Sequence, residues 1–542
     1  MTALAGVIAE ERWRGVSVAL LVILSGALTA SFRFLGTPEF NNDHFVHLTA
    51  AQQVLFGEWP TRDFIDIGRP LQIMASAAAQ RLIGHNLFAE ALLVSAAFGI
   101  AAGLTAALVF TLTDSPLVAV GAVVVEVVAF PRTYSYPKVL AIAAGLWLIG
   151  AFLRRPGVPR QIMMAAGVAI AFLFRHDLGL FVGVGGLVAS MLAAPAASWR
   201  ERCRSGVTFA CIAIAIVAPY LIFVHVNGGL WNYLVTALEQ NQSEAGYVWP
   251  NPFAEGDAWD AQLLYAFHLL PVVTLSVCAI DWKRGRYDDW RTPFLISVAC
   301  VAVGVNCGLI RDVLRTRIPD AIVPAVVLGS WLGHRAWVSR RRCYLIPATV
   351  VLIGAGLALA DAANVGEIAN RAGLDAEIWS QPRLLPVRFA ERSAQLHDRF
   401  GGSPSRAAAV LRSFVQYLDR CTAEDHRLFL GGVIPEVAYL ARRPFAGGGY
   451  EHYNFSSPAN QHRVIERLRG QLVPFALIPS GGDTELADLP IVADYLHERY
   501  VLLADLSIDG NEHIQILVDN DLPPISRDAE TGWPCFKGGG RV

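Results

Sequence analysis

The chain has 542 residues, of which 54% are hydrophobic and only 17% charged, with a mean hydropathy of +0.42. This composition excludes an ordinary soluble enzyme. The formal net charge of −2, with no basic tail or basic domain, gives no ground for a nucleic-acid partner.

Apolar residues form long repeated runs from 16 to about 363, after which the chain reads as water-soluble. A helix needs about 20 apolar residues to cross a bilayer, and by that measure about eleven spans are legible, with ten to thirteen as the range. They lie at 16–35, 87–112, 115–131, 138–153, 161–175, 178–195, 206–226, 261–281, 293–310, 320–338 and 343–361. The predicted fold is therefore a polytopic α-helical membrane domain, 1–363, followed by a soluble extracytoplasmic α/β domain, 364–542. No small-residue cleavage motif follows the first span, which reads as a retained anchor rather than a removable signal.

Just beyond that span comes Asn41-Asn42-Asp43-His44. Phe45, Leu48, Ala51 and Leu55 then recur at near-helical spacing, with Asp43 where an N-cap would sit. Gly57-Glu58-Trp59-Pro60 ends this helix, and a loop with Arg62, Asp63 and Asp66 follows. Pro70 opens a second helix that stops at Gly84. Two amphipathic interfacial helices within 37–86 are the expectation.

Cations orient the spans. They crowd into short segments holding Arg154, Arg155 and Arg160; Arg200, Arg202 and Arg204; and Lys283, Arg284, Arg286 and Arg291, whereas the long segment 227–260 holds none. An inside N-terminus follows, and an odd span count then places the tail outside. The segment 227–260 reads as a large outer loop. Trp231, Tyr233, Tyr247, Trp249 and Trp259 lie there among Glu239, Glu244, Glu255 and Asp257. Such aromatics suit interfacial anchoring, or stacking on a sugar face.

In the tail, helices are predicted at 390–400, 405–421 and 435–441, and strands at 427–430, 474–478, 501–506 and 513–518, with Gly447-Gly448-Gly449 as a flexible loop. No GxxxxGK[ST] fingerprint occurs, which argues against a nucleotide triphosphatase. Cys421 and Cys535 are the tail's two cysteines. An oxidising compartment would let them pair, but their separation in sequence gives no geometric support. No cysteine or histidine spacing matches a zinc site.

Asp43 is the candidate general base, a carboxylate at a membrane rim within reach of a lipid-delivered substrate; the plainer role is helix capping. His44 and Asp63 are secondary candidates, and local pairing with Arg62 and Arg69 is the alternative for Asp63 and Asp66. Arg311 and Arg315, four residues apart, would share a helix face and suit phosphate oxygens. Lys138, Arg175 and Arg317 end or begin spans on the same side. Tyr134 and Tyr136, in Tyr134-Ser135-Tyr136-Pro137-Lys138, are secondary candidates. Any one of these cations can simply snorkel to water. Asp177 reads as a partner for Arg175 more than as half of a relay with His176. Glu126, inside a span, must face protein or a cavity.

The early outer-loop Asp43, the two helices after it and the stretch Gly57-Glu58-Trp59-Pro60-Thr61-Arg62-Asp63-Phe64 resemble the GT-C superfamily of integral-membrane glycosyltransferases. Within it, the likeness is to the protein O-mannosyltransferase and lipid A aminoarabinose transferase type. The resemblance implies a multi-pass protein of the inner (plasma) membrane. It would transfer a sugar from a polyprenyl-phosphate donor to a glycan, lipid or protein acceptor at the outer face. Asp43 would be the base, and Arg311, Arg315, Lys138 and Arg175 would hold the donor phosphate. Some relatives carry a second acidic residue after the first-loop Asp; here it is His44. That substitution argues against a divalent cation, and no other cofactor follows. A polytopic transporter, or a non-catalytic component of polysaccharide assembly and export, is the alternative class. A transporter of that kind usually shows repeated halves, which are not seen here.

Overall fold

The computed structural model describes the chain apart from residues 1, 37–39, 41, 67, 195–196, 244–248, 250, 252–257, 287–289, 311–316, 340–379, 402–405, 451–454, 456, 481–485, 487–488, 510–511 and 538–542. Its Cα atoms group into two compact units, neither continuous in sequence. The first comprises Met1–Thr37, Leu92–Leu221 and Glu244–Arg388; the second comprises Pro38–Ala91, Ile222–Ser243 and Phe389–Val542.

Seven helices are long and apolar enough to cross a membrane: Gly15–Gly36, Leu87–Thr113, Thr133–Arg154, Trp199–Gly228, Ala261–Lys283, Arg291–Ile310 and Ile318–Val338. Three shorter apolar helices, Pro116–Ala129, Val158–Phe174 and His176–Leu192, match the remaining spans expected within the described residues. The expected span 343–361 lies outside them. The protein is thus a multi-pass helical membrane protein. Helix boundaries follow local chemistry: Ser115 Oγ accepts the Val118 N–H at 3.4 Å, and Pro116 occupies the first helical position.

In the first unit, apolar side chains from several spans form one core, with Phe98, Leu146, Val182, Phe267, Phe294 and Val327 all buried. Small residues bring helices together. A Cβ on Gly99 would meet Gly26 O at 2.6 Å, so the Gly15–Gly36 and Leu87–Thr113 helices touch backbone to backbone there.

The second unit contains the predicted α/β tail. Strands β1 (Leu428–Leu430), β2 (Phe475–Ser480), β3 (Tyr500–Asp509) and β4 (Glu512–Asp519) form a sheet of order β1-β2-β4-β3. β1 pairs parallel with β2, Leu428 opposite Phe475, and the remaining pairs are antiparallel. Helices Pro458–Arg469 and Pro490–Arg499 contribute Val464, Leu468, Val492 and Leu496 to a core with Phe429 and Ala476. Cys421 and Cys535 form a disulfide. It joins the end of helix Arg406–Cys421 to the strand Pro534–Cys535.

The segment after the first span packs with this tail. Helix Asn42–Leu55 is not a half-exposed amphipathic helix: besides Phe45, Leu48 and Ala51, its polar His44, His47, Thr49, Gln52 and Gln53 are buried. The reason is hydrogen bonding. Thr49 donates to Pro435 O at 2.7 Å, and Gln52 donates to Ala438 O and Arg443 O at 2.9 Å each. Gln53 accepts the Phe445 N–H at 3.1 Å. Thr49, Gln52 and Gln53, which sequence alone assigns to water, thus hydrogen-bond to another segment's backbone.

Candidate functional site

In the first unit, three segments bring charged residues together. After Arg132, a short 3-10 turn, Thr133–Ser135, leads into helix Tyr136–Arg154, with Lys138 in its first turn. Arg175 separates helices Val158–Phe174 and His176–Leu192, and its carbonyl accepts the Leu178 N–H at 3.0 Å. Asp320 lies in the 3-10 turn Ile318–Ala321, at the start of another span.

Asp320 is buried and ion-paired to Lys138, while the Arg132 Nη2 reaches its Oδ2 at 3.3 Å. The Arg132 guanidinium also lies over the Tyr134 ring, 4.6 Å from its centre. Arg175 makes a forked pair with Asp177, at 2.8 and 2.6 Å. Lys138 is close enough to Arg175 and Asp177 to interact with both electrostatically. Tyr136 is buried in the same turn. Arg317, half-buried, precedes the Asp320 turn. Arg311 and Arg315 lie outside the described residues. His176 instead packs on Phe172, with ring centres 4.1 Å apart, so Asp177 belongs with Arg175.

Of the expected phosphate-binding residues, the structure brings together Lys138 and Arg175. Sequence reasoning missed Arg132 and Asp320 as members of the group. Asp320 had a legible signal, since a carboxylate within an apolar span seeks a partner. Its pairing with a residue 182 positions away did not.

In the second unit, Asp43 is exposed and lies in the first turn of helix Asn42–Leu55. His44 points the other way. Its Nε2 lies 3.0 Å from Glu90 Oε1, which also accepts the Ser76 hydroxyl at 3.1 Å, and its ring meets the edge of Phe40. His44 is thus a core residue.

Asp63 closes a tight loop. Its Oδ2 accepts the Trp59 N–H at 2.7 Å and two Arg62 donors at 2.8 and 2.6 Å. Partial burial opposes ionisation, but these hydrogen bonds outweigh it and hold the carboxyl below the ordinary carboxylate range. Asp66 accepts the N–H groups of Gly68 and Arg69, both at 3.1 Å, before Pro70 opens the next helix.

The rest of this segment is anchored to the tail. Phe64 is fully buried against Phe445 and Tyr450, with ring centres at 5.6 and 6.3 Å. The Ile65 N–H donates to Gly448 O at 2.9 Å, and Arg467 donates to Asp63 O at 2.9 Å. Glu58 pairs with Arg427. Gly448, at φ +75°, favours glycine: a Cβ there would displace the Arg467 guanidinium, at 1.8 Å, and press on Asp63 O at 3.0 Å. The expected flexible glycine loop is therefore buried and fixed.

Among the described residues, one cluster has the spacing to hold a metal: Cys421, Asp528 and Cys535. Its two sulfurs are bonded to each other, which removes them as thiolate ligands. Asp528 is engaged by Arg420 at 3.1 and 3.0 Å. The segment 227–260, expected as a loop, holds helix Leu230–Ser243; there Tyr233 is buried with its hydroxyl 3.4 Å from Asp66, whereas Trp231 is exposed. Trp249 stacks near Tyr265 and His268.

No family model and no curated protein matches the chain. Among solved structures it is similar to ArnT from Cupriavidus metallidurans bound to undecaprenyl phosphate. That likeness has 12% identity and a TM-score of 0.47, and covers 92% of this chain and 97% of that one. It is also similar to ArnT from the same organism in the apo state, at 14% identity and a TM-score of 0.47, over 94% of this chain and 98% of that one.

Proposed function

We propose that the protein is a GT-C-type membrane glycosyltransferase. It moves a sugar from a polyprenyl-phosphate donor to a glycan, lipid or protein acceptor at the outer face of the membrane. The observation that carries this reading is that Arg132, Lys138 and Arg175, all half-buried at the ends of apolar helices, lie around Lys138 and are partnered by Asp320 and Asp177. Cations held there suit an anion that arrives on a lipid.

The acceptor hydroxyl oxygen attacks the sugar's anomeric carbon while the bond from that carbon to the phosphate oxygen breaks, inverting the centre. The bonding electrons leave with the lipid phosphate, whose new charge the three cations stabilise. The phosphate departs without protonation, so no general acid is required. Asp43, exposed in the first turn of its helix, takes the acceptor's proton. The Cys421–Cys535 disulfide supports an extracytoplasmic tail, because such bonds persist in oxidising compartments.

Mass spectrometry of envelope glycans and lipids from cells with and without the protein tests this function. Loss of one defined sugar is expected; an unchanged profile overturns it.

A further inference from the structure

Resting on the donor reading above, we infer that Asp320 is a charge selector in the lipid-phosphate site, setting its preference for a phosphodiester over a phosphate monoester. The donor is a phosphodiester carrying one negative charge. The lipid product is a phosphate monoester, with a charge approaching −2 at neutral pH. Any fixed negative charge beside the phosphate therefore penalises the product about twice as much as the donor.

Asp320 is placed to supply that charge. Its carboxylate contacts Lys138 and Arg132, two of the three cations assigned to the phosphate, and it is only 6% exposed. Burial keeps its field from being screened by water and salt. The second carboxylate, Asp177, is 35% exposed and lies on the third cation, Arg175. Here two carboxylates offset the charge of Arg132, Lys138 and Arg175. This offset weakens binding of the dianionic product more than of the monoanionic donor, which promotes release. The same charge also works against the negative charge building on the leaving oxygen, so the carboxylate trades some rate of bond cleavage for turnover. With no lipid bound, it keeps Lys138 and Arg132 from being buried without a counter-charge.

The test measures binding to the purified full-length protein in detergent. The probes are undecaprenyl phosphate and its synthetic monomethyl ester, which share a lipid and differ by one charge. Asp320→Asn is expected to tighten undecaprenyl phosphate about tenfold relative to the ester, a 1.4 kcal/mol change in preference. Asp320→Glu, which restores the charge, is expected to return the ratio to that of the unaltered protein. An Asp320→Asn ratio within about twofold of the original, with both probes still bound, overturns the selector and leaves the donor reading standing. Failure of the unaltered protein to bind either probe overturns both. A merely structural role would weaken both probes together and leave their ratio unmoved.

Discussion

Around Asp320, charged side chains meet one another: Lys138 and Arg132 share one carboxylate, and Arg175 forks onto Asp177. Around Phe64, the partners are mostly backbone. Ile65 donates to Gly448 O, Arg467 to Asp63 O, and Gln53 accepts the Phe445 N–H. The first arrangement retains side-chain charge at helix ends that a ligand can exchange for its own. The second spends its polar groups on joining distant segments. The stretch from Gly57 to Phe64, the part of the sequence that reads most like a motif, is therefore chiefly an anchor. On the proposed function, the chemistry falls to residues that look ordinary one at a time.

Asp43→Asn should give the largest effect on activity, a loss of transfer of about 10²-fold or more, as expected for removing a general base. Protein abundance should stay unchanged, because the side chain is exposed. Sugar transfer in membranes, normalised by immunoblot, reads this directly. Retained transfer would move Asp43 back to helix capping.

Phe64→Ala should break the anchor, costing about 3–5 kcal/mol, the usual range for a fully buried phenyl group. A lower unfolding temperature in detergent checks it. A negligible shift would show that the segment's packing is dispensable.

Glu436 sharpens the same comparison through pH. Burial raises its carboxyl to about 7, so the folded state holds a proton that the unfolded state releases near pH 4.5. Its contribution to stability is complete below pH 4.5 and is lost as pH rises toward 7. Glu436→Gln should remove that slope, stabilising the protein at pH 8 by on the order of 3 kcal/mol relative to pH 4. Melting curves of both proteins across this range give the difference, and parallel curves would refute the burial effect.

Asp63→Asn should be the mildest. Its ion pair with Arg62 is partly exposed, so solvent screening leaves such a pair with little effect on stability. Transfer activity should survive within about twofold, since this carboxylate is committed to its own loop. A large loss of activity at unchanged stability would make Asp63 a chemical residue after all.

The sequence by itself determined the spans, because a bilayer imposes a length and an apolarity that any single segment must meet. Each expected span within the described residues is an apolar helix. It also determined many of the tail's elements, among them the strand at Leu428–Leu430 and the helix at Pro435–Ala441, because local periodicity and proline positions carry them; helices Pro458–Arg469 and Pro490–Arg499 were not expected. Lys138 and Arg175 were legible as cations at helix ends. Only the tertiary structure decided that Asp320 neutralises Lys138 and Arg132, that His44 is buried against Glu90, and that helix Asn42–Leu55 is covered by the tail. These are pairings across 46 to 386 residues. No local propensity encodes them, since the cost of burying a polar group depends wholly on which partner the fold delivers to it.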